Sequence, residues 1–161
     1  MLIVSDTSPI INLAAINHLY LLPELFGQII IPQMVYQEIV IDGAGEPGSD
    51  DIQTAQWVKI QNCTNQDLIN TLSHELDPGE AEAIALAIEL NADYLLIDEK
   101  DGRQKALDYH LKPLGVLGIL LRAKEARLIS SISSLMDRLR SEAGFHIHQS
   151  LYEQVKQIAK E

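Results

Sequence analysis

The run Tyr94–Ile97, continuously apolar and stopped abruptly by Asp98, constrains this chain more than any other feature. A strand that is apolar on both faces belongs inside a parallel sheet covered by helices on both sides. The neighbouring sequence agrees. From Pro78 the run GEAEAIALAIELN consists of strong helix formers, puts Ala81, Ile84, Ala85 and Ile88 on an apolar face, and ends at Asn91. A second helix is expected over Lys100 to His110. The same alternation recurs upstream. Leu2 to Ser5 reads as a strand, and Ile10, Leu13, Ala14 and Leu19 follow at helical spacing behind a Thr-Ser-Pro start. Ile29–Ile31 is a short strand closed by Pro32, which pre-sets the first turn of a helix over QMVYQEIVI. Val58 to Cys63 alternates like a half-buried strand, and Leu114 to Val116 is the last one. GILLRAKEARL, ISSLMDRLRSEAG and SLYEQVKQIAKE then each show helical periodicity. The acidic, glycine-rich stretch 42–51 has no periodicity and reads as a mobile surface loop. These elements predict a three-layer α/β/α sandwich around a central, mainly parallel sheet, with residues 1–161 forming one domain that includes the C-terminal helices.

Composition narrows the function classes. No segment approaches the roughly 20 apolar residues that a membrane-spanning helix needs. The start MLIVSDTSPII lacks the basic residues and cleavage site of a secretory signal, so a cytoplasmic product is expected. Cys63 is the single cysteine and cannot form an internal disulfide. The formal charge of −11 argues against a broad electrostatic grip on nucleic acid. Carboxylates gathered in one pocket, however, suit bound cations. Position must decide between that arrangement and a merely acidic surface.

Ligands of parallel α/β sheets sit beyond the carboxyl ends of the strands. Asp6 directly follows the first strand, and Asp98 directly follows Tyr94–Ile97. Glu38 lies on the helix after the second strand, and Glu80 opens the helix after Pro78. Each has a bland reading: Asp6 as an N-cap, Glu38 on a solvated face, Glu80 as a complement to the helix dipole. Glu99 and Asp101 add acids within the turn after Asp98. Convergence of the four main acids on one rim outweighs the separate bland readings. The chemistry that wants such a set is metal-assisted phosphodiester hydrolysis, with Mg²⁺ or Mn²⁺ held by oxygen ligands. Ser8 and Asn12 are candidate supports for a bound water or phosphate. Other acidic-pocket folds fit less well. A phosphoacceptor receiver needs adjacent acids at the first strand end, a dehalogenase-like phosphatase needs an acid at position 8, and a nucleotide-binding module needs a glycine-rich loop after the first strand.

The order of these motifs resembles the PIN-domain family, which includes the VapC-type toxin subunits of toxin–antitoxin pairs. VSDTSPIINLA is similar to its opening strand–aspartate–helix motif, VYQEI to its second acidic motif, and GEAEAIALAIELNADYLLIDEKD to its third and fourth. The resemblance implies a PIN-like fold and a Mg²⁺- or Mn²⁺-dependent endoribonuclease with Asp6, Glu38, Glu80 and Asp98 as metal-binding acids. Asp101 falls on a further acidic position. It also implies an RNA substrate, an antitoxin partner and a homodimer; the apolar helices around Leu19 and Leu22 read equally as a docking surface, a dimer interface or plain core. Lys100, Arg103 and Lys105 are the expected RNA contacts, Arg103 foremost. Lys112, Arg122, Lys124 and Arg127 follow in sequence, the last two read as ordinary helix faces. Two departures stand out. Glutamate replaces the family's aspartate at position 80, and LLIDEKDGRQKA looks like a separate sub-branch rather than the best-known toxins. The competing reading is a PIN-like fold kept only as a protein-interaction module.

Overall fold

A computed structural model describes residues 1–161. The strands are β1 (Ile3–Ser5), β2 (Ile29–Ile31), β3 (Val58–Ile60), β4 (Tyr94–Leu96) and β5 (Pro113–Leu114). The helices before β4 are α1 (Thr7–Ala15), α2 (Leu21–Phe26), α3 (Gln33–Tyr36), α4 (Ser49–Thr54), α5 (Gln66–Leu72) and α6 (Pro78–Leu90). Those after it are α7 (Lys100–Asp108), α8 (Val116–Glu125), α9 (Ile132–Glu142) and α10 (Gln149–Ile158). All strand pairs are parallel, in the order β3-β2-β1-β4-β5. The fold is the expected helix-covered parallel sandwich.

Strand side chains alternate between two apolar cores. Ile3, Ile29, Ile31 and Leu96 join the core beneath α1, α2, α8, α9 and α10, while Val4, Ile30, Leu95 and Ile97 join the one beneath α5 and α6. Each fully buried Leu or Ile contributes about 1.5–3 kcal/mol relative to exposure. This two-sided burial is why the strands read as unbroken apolar runs. It also fixes register, because a one-residue slip would exchange the two sets.

Strand order makes the functional edge. The chain runs from β1 outward to β2 and β3, then returns to the other side of β1 as β4. The carboxyl ends of β1 and β4 therefore flank the point where winding reverses, the usual ligand crevice of such sheets. Ser5 pairs with Leu96, and the Asp6 N–H donates to the Leu96 carbonyl at 2.8 Å, so Asp6 and Asp98 leave the sheet side by side.

Several local expectations need correction. Leu19 is not on α1, which ends at Ala15 and turns through Asn17 at φ 59°. The helix after Pro32 widens into a π-helical segment, Gln37–Asp42. Residues 42–51 are not simply a surface loop. Gly48, at φ 92°, packs against Ala14; buried Ser49 opens α4 and its hydroxyl donates to the Val40 carbonyl at 3.3 Å. The glycine is what permits that turn. The third strand stops at Ile60 rather than running to Cys63. Val116 starts α8 rather than ending β5. Helix α5 was not foreseen; Asn65 caps it by accepting the Leu68 N–H at 3.1 Å. No helix is long and apolar enough to cross a membrane.

Candidate functional site

Asp6 is 2% exposed and occupies the N-cap position of α1, yet its side chain makes no capping hydrogen bond. Its Oδ1 is buried without a partner. Burial holds its carboxyl well above the usual range against the Thr7 amide, and the charges of Glu80, Asp77 and Glu38 add to the rise. The N-cap reading of Asp6 is thereby set aside.

Glu80 serves two environments. Asp77 and Glu80 form a capping box: the Glu80 N–H donates to Asp77 Oδ1 at 2.9 Å, and the Asp77 N–H to Glu80 Oε1 at 3.3 Å. The helix-end reading of Glu80 is thus correct for one oxygen. Its other oxygen, Oε2, is buried without a partner. Burial, then the Asp77 and Glu99 carboxylates, push its pKa to about 7.

Glu38 stands on the π-helical segment and accepts the Thr7 hydroxyl. Gly79 lies against it so closely that a Cβ there would come 2.5 Å from both carboxylate oxygens. Its pKa is raised by burial, with Asp77 and Asp42 adding repulsion while Thr7 and the Gly79 amide oppose. Asp98 is the best supported of the acids. Its Oδ1 accepts the Val116 N–H at 2.7 Å and its Oδ2 the Asn12 Nδ2 at 3.2 Å. Burial still raises its pKa, against these bonds and the neighbouring Arg103.

Asp6 thus lies in the electrostatic field of Glu38, Glu80 and Asp77, and Asp77 acts on all three, while Asp98 adjoins at the next strand end. No three carboxylate, imidazole or thiol groups stand close enough, as their side chains are placed, to grip a single ion. The donor set nevertheless suits a hard divalent cation, being all oxygen and including two buried oxygens that nothing satisfies.

The remaining predicted residues spread more widely. Asn12 donates to Asp98, and Ser8 is half-buried in the first turn of α1. Glu99 is the exposed N-cap of α7. Asp101 lies in the first turn of α7, in a groove shared with Glu75 and Lys105. Arg103 sits beside Asp98 and donates from Nη1 to the Ile97 carbonyl at 3.3 Å. Lys100 is exposed, whereas Lys105 is paired with Glu75. The later cations do not rim the acids. Lys112 precedes β5, its carbonyl bonded to Leu95; Arg122 stacks 4.6 Å over the Tyr94 ring at the start of β4; Lys124 pairs with Glu161; Arg127 follows α8 at φ 61°.

Sequence reading overlooked Thr7, Asp77 and three glycines. A Cβ at Gly102 would meet Glu80 Oε2 at 2.7 Å, and one at Gly115 would meet Arg103 Nη1 at 2.7 Å and Asp98 Oδ1 at 2.9 Å. Only Asp77 carried a readable signal, since Asp-Pro-Gly-Glu has the capping-box spacing with proline at the first helical position.

Among solved structures, a PilT N-terminus domain protein from the hyperthermophilic archaeon Sulfolobus solfataricus P2 is similar, with a TM-score of 0.48 and 17% identity over 92% of this chain and 99% of that one. No curated protein matches significantly. A family model described as a PIN domain matches residues 2–161. Spanning almost the whole sequence, that match shows that the chain belongs to the PIN-domain family.

Proposed function

We propose that this protein is a divalent-metal-dependent endoribonuclease that hydrolyses RNA phosphodiester bonds. In this reading Asp6, Glu38, Glu80 and Asp98 hold Mg²⁺ or Mn²⁺, and Glu99 and Asp101 add negative charge further out on α7. The observation that carries it is the pair of buried, partnerless oxygens, Asp6 Oδ1 and Glu80 Oε2, at the reversal point of the sheet. Leaving such atoms without a donor is costly, and a cation relieves the cost that no protein group relieves. Family membership supports nuclease chemistry in general.

A bound divalent ion would supply positive charge to the phosphate and lower the pKa of a nucleophilic water. The chain's own groups orient the acids. Thr7 and the Gly79 amide hold Glu38, while Val116 and Asn12 fix both oxygens of Asp98. Arg103, beside Asp98, would hold a substrate phosphate. Because burial raises the pKa of these acids, protons and cations compete for the same oxygens.

The test is cleavage of single-stranded and structured RNA by the purified protein with Mn²⁺. Chelator stops the reaction, and Asp6→Asn and Asp98→Asn each lower it by at least ~100-fold while circular dichroism stays native. Wild-type cleavage by either variant would remove the site assignment. A second reading, a PIN-like interaction module without catalysis, draws on the lack of any three acids arranged to grip one ion. It expects no rise in melting temperature with Mn²⁺, whereas a metal site stabilises the fold by linkage. Resemblance to VapC-type toxins extends the nuclease reading to a toxin subunit with an antitoxin partner and a homodimer. Co-purification with a co-expressed neighbouring gene product and the mass in solution test those two points.

A further inference from the structure

A cleft of about 350 Å³ opens beside Asp98. This lies at the lower end of the ~300–1,000 Å³ typical of small-ligand sites. Arg103 of α7 forms one side, Gly115 and Leu117 at the start of α8 another, and Phe145 and Leu151 the outer wall. The chemistry is uneven: the Arg103 cation next to Asp98, then the Phe145 ring and aliphatic surface, with the His146 imidazole among them. Gly115 matters, because any side chain there would collide with both Arg103 and Asp98. Its absence keeps the cation open to the cleft.

The outer wall is held from behind. The Phe145 N–H donates to the Leu139 carbonyl at 2.9 Å, and Arg140 Nη2 donates to the Ile147 carbonyl at 2.7 Å. Ile147 is buried in the core between them, whereas Leu151 is 41% exposed. The segment therefore presents apolar surface to solvent from a fixed backbone, which lowers the ordering cost of binding.

We propose that this cleft is a nucleotide subsite in which an unpaired RNA base stacks against Phe145 and Leu151 while Arg103 holds its phosphate. The proposal rests on the nuclease reading for its placement: the bound nucleotide flanks the bond cleaved at the acids. Stacking is the grip that an acidic protein needs, because a net charge of −11 leaves little general attraction for phosphates. A paired base keeps its faces stacked within the duplex and cannot enter, so the substrate class is single-stranded RNA or a loop. A protein segment would fit only where an acidic side chain stood beside an apolar one, whereas every nucleotide joins a phosphate to a flat base.

The test uses the full chain, with amide NMR shifts read during titration with AMP, CMP and ribose 5-phosphate. AMP and CMP shift Gly115, Gly118, Phe145 and Leu151, and ribose 5-phosphate, lacking a base, moves them far less. Phe145→Ala weakens AMP binding at least ~5-fold and Phe145→Trp restores it, as expected for loss and return of a stacking face. Phe145 also touches the core, so Leu151→Glu on the exposed rim is the second variant and should weaken AMP binding as well. Equal shifts with ribose 5-phosphate would reduce the cleft to a phosphate contact and overturn the proposal. Cleft signals that follow protein concentration instead of AMP would assign this face to a second copy of the chain and overturn it too. Cleavage assays keep the two readings apart. RNA cleavage with no AMP shifts sinks the subsite alone, whereas AMP shifts in a protein that cleaves nothing sink the nuclease and leave a nucleotide-binding cleft.

Discussion

At the scale of single residues, Asp6, Glu38, Glu80 and Asp98 all have raised pKa values in the fold, with burial the largest cause. For a carboxyl whose folded pKa exceeds its unfolded value, folding favours the protonated form. Stability from that preference is complete below the unfolded pKa of about 4–4.5 and is lost as pH rises through the folded value, which for Glu80 is about 7. The metal-free protein is therefore expected to melt at a higher temperature at pH 5.5 than at pH 8, and Mn²⁺ at pH 8 should recover much of the loss. Thermal melts at the two pH values, with chelator and with Mn²⁺, check this. A melting temperature that rises with pH in chelator would contradict the burial argument. Asp6→Asn removes one of the repelling charges, so in chelator its melting temperature should depend less on pH than the wild type's.

At the scale of elements, helix α6 couples the site to the core. Asp77 caps it, its first turn carries Gly79 and Glu80, and its next turns supply Ala83 to Ala87 to the core under the sheet. Asp77→Ala breaks the capping box, a loss of about 0.5–2 kcal/mol. It also removes a charge that repels Asp6, Glu38 and Glu80, so in chelator the net cost should fall at the low end of that range. Gly102→Ala pushes a methyl onto Glu80 Oε2 and the Ile97 side chain, each 2.7 Å away, and should cost about 1–3 kcal/mol. Urea unfolding measures both; a neutral Gly102→Ala would show that α7 has room to shift. Helix α6 and strand β4 were legible in sequence because their signals are local: an unbroken run of helix formers and an unbroken apolar strand. The π-helical segment that carries Glu38 was not. QMVYQEIVI has ordinary helical periodicity, and nothing in it separates a widened turn from an α-turn. The glycines against Glu38, Glu80 and Asp98 were equally silent, since their role is to be absent beside partners tens of residues away.

At the scale of the whole molecule, the alternation of strands and helices announced a parallel sheet, and Asp6 and Asp98 were placed correctly at its carboxyl edge. Their adjacency depends on the order β3-β2-β1-β4-β5, which comes from which strands bury which faces together and has no local signature. The docking of the last helices is likewise a long-range matter. Glu161, following α10, sends its carboxylate to the N-terminus of α9. Oε2 accepts the Ile132 N–H at 2.6 Å and pairs with Lys124 at 2.9 Å, while Oε1 accepts the Ser133 N–H at 3.2 Å and its hydroxyl at 2.8 Å. One side chain thus ties α8, α9 and α10 together, supplying a negative group where the α9 dipole is positive. Burial alone would raise its pKa, but the Ile132 amide, Lys124 and Ser133 outweigh that and lower it to about 2. The sign is opposite to that of the site acids: this stability is present above the unfolded pKa, near 4.5, and is lost as pH falls toward 2. Glu161→Gln should destabilise the protein at pH 7 by about 1.5–3 kcal/mol, the range for hydrogen bonds to a charged group. The gap between wild type and variant should then narrow as pH falls from 5 to 2, because protonated Glu161 and glutamine are nearly equivalent there. Paired urea titrations across that range decide it. A gap that stays constant into acid would mean that the carboxylate's charge does not hold these three helices together.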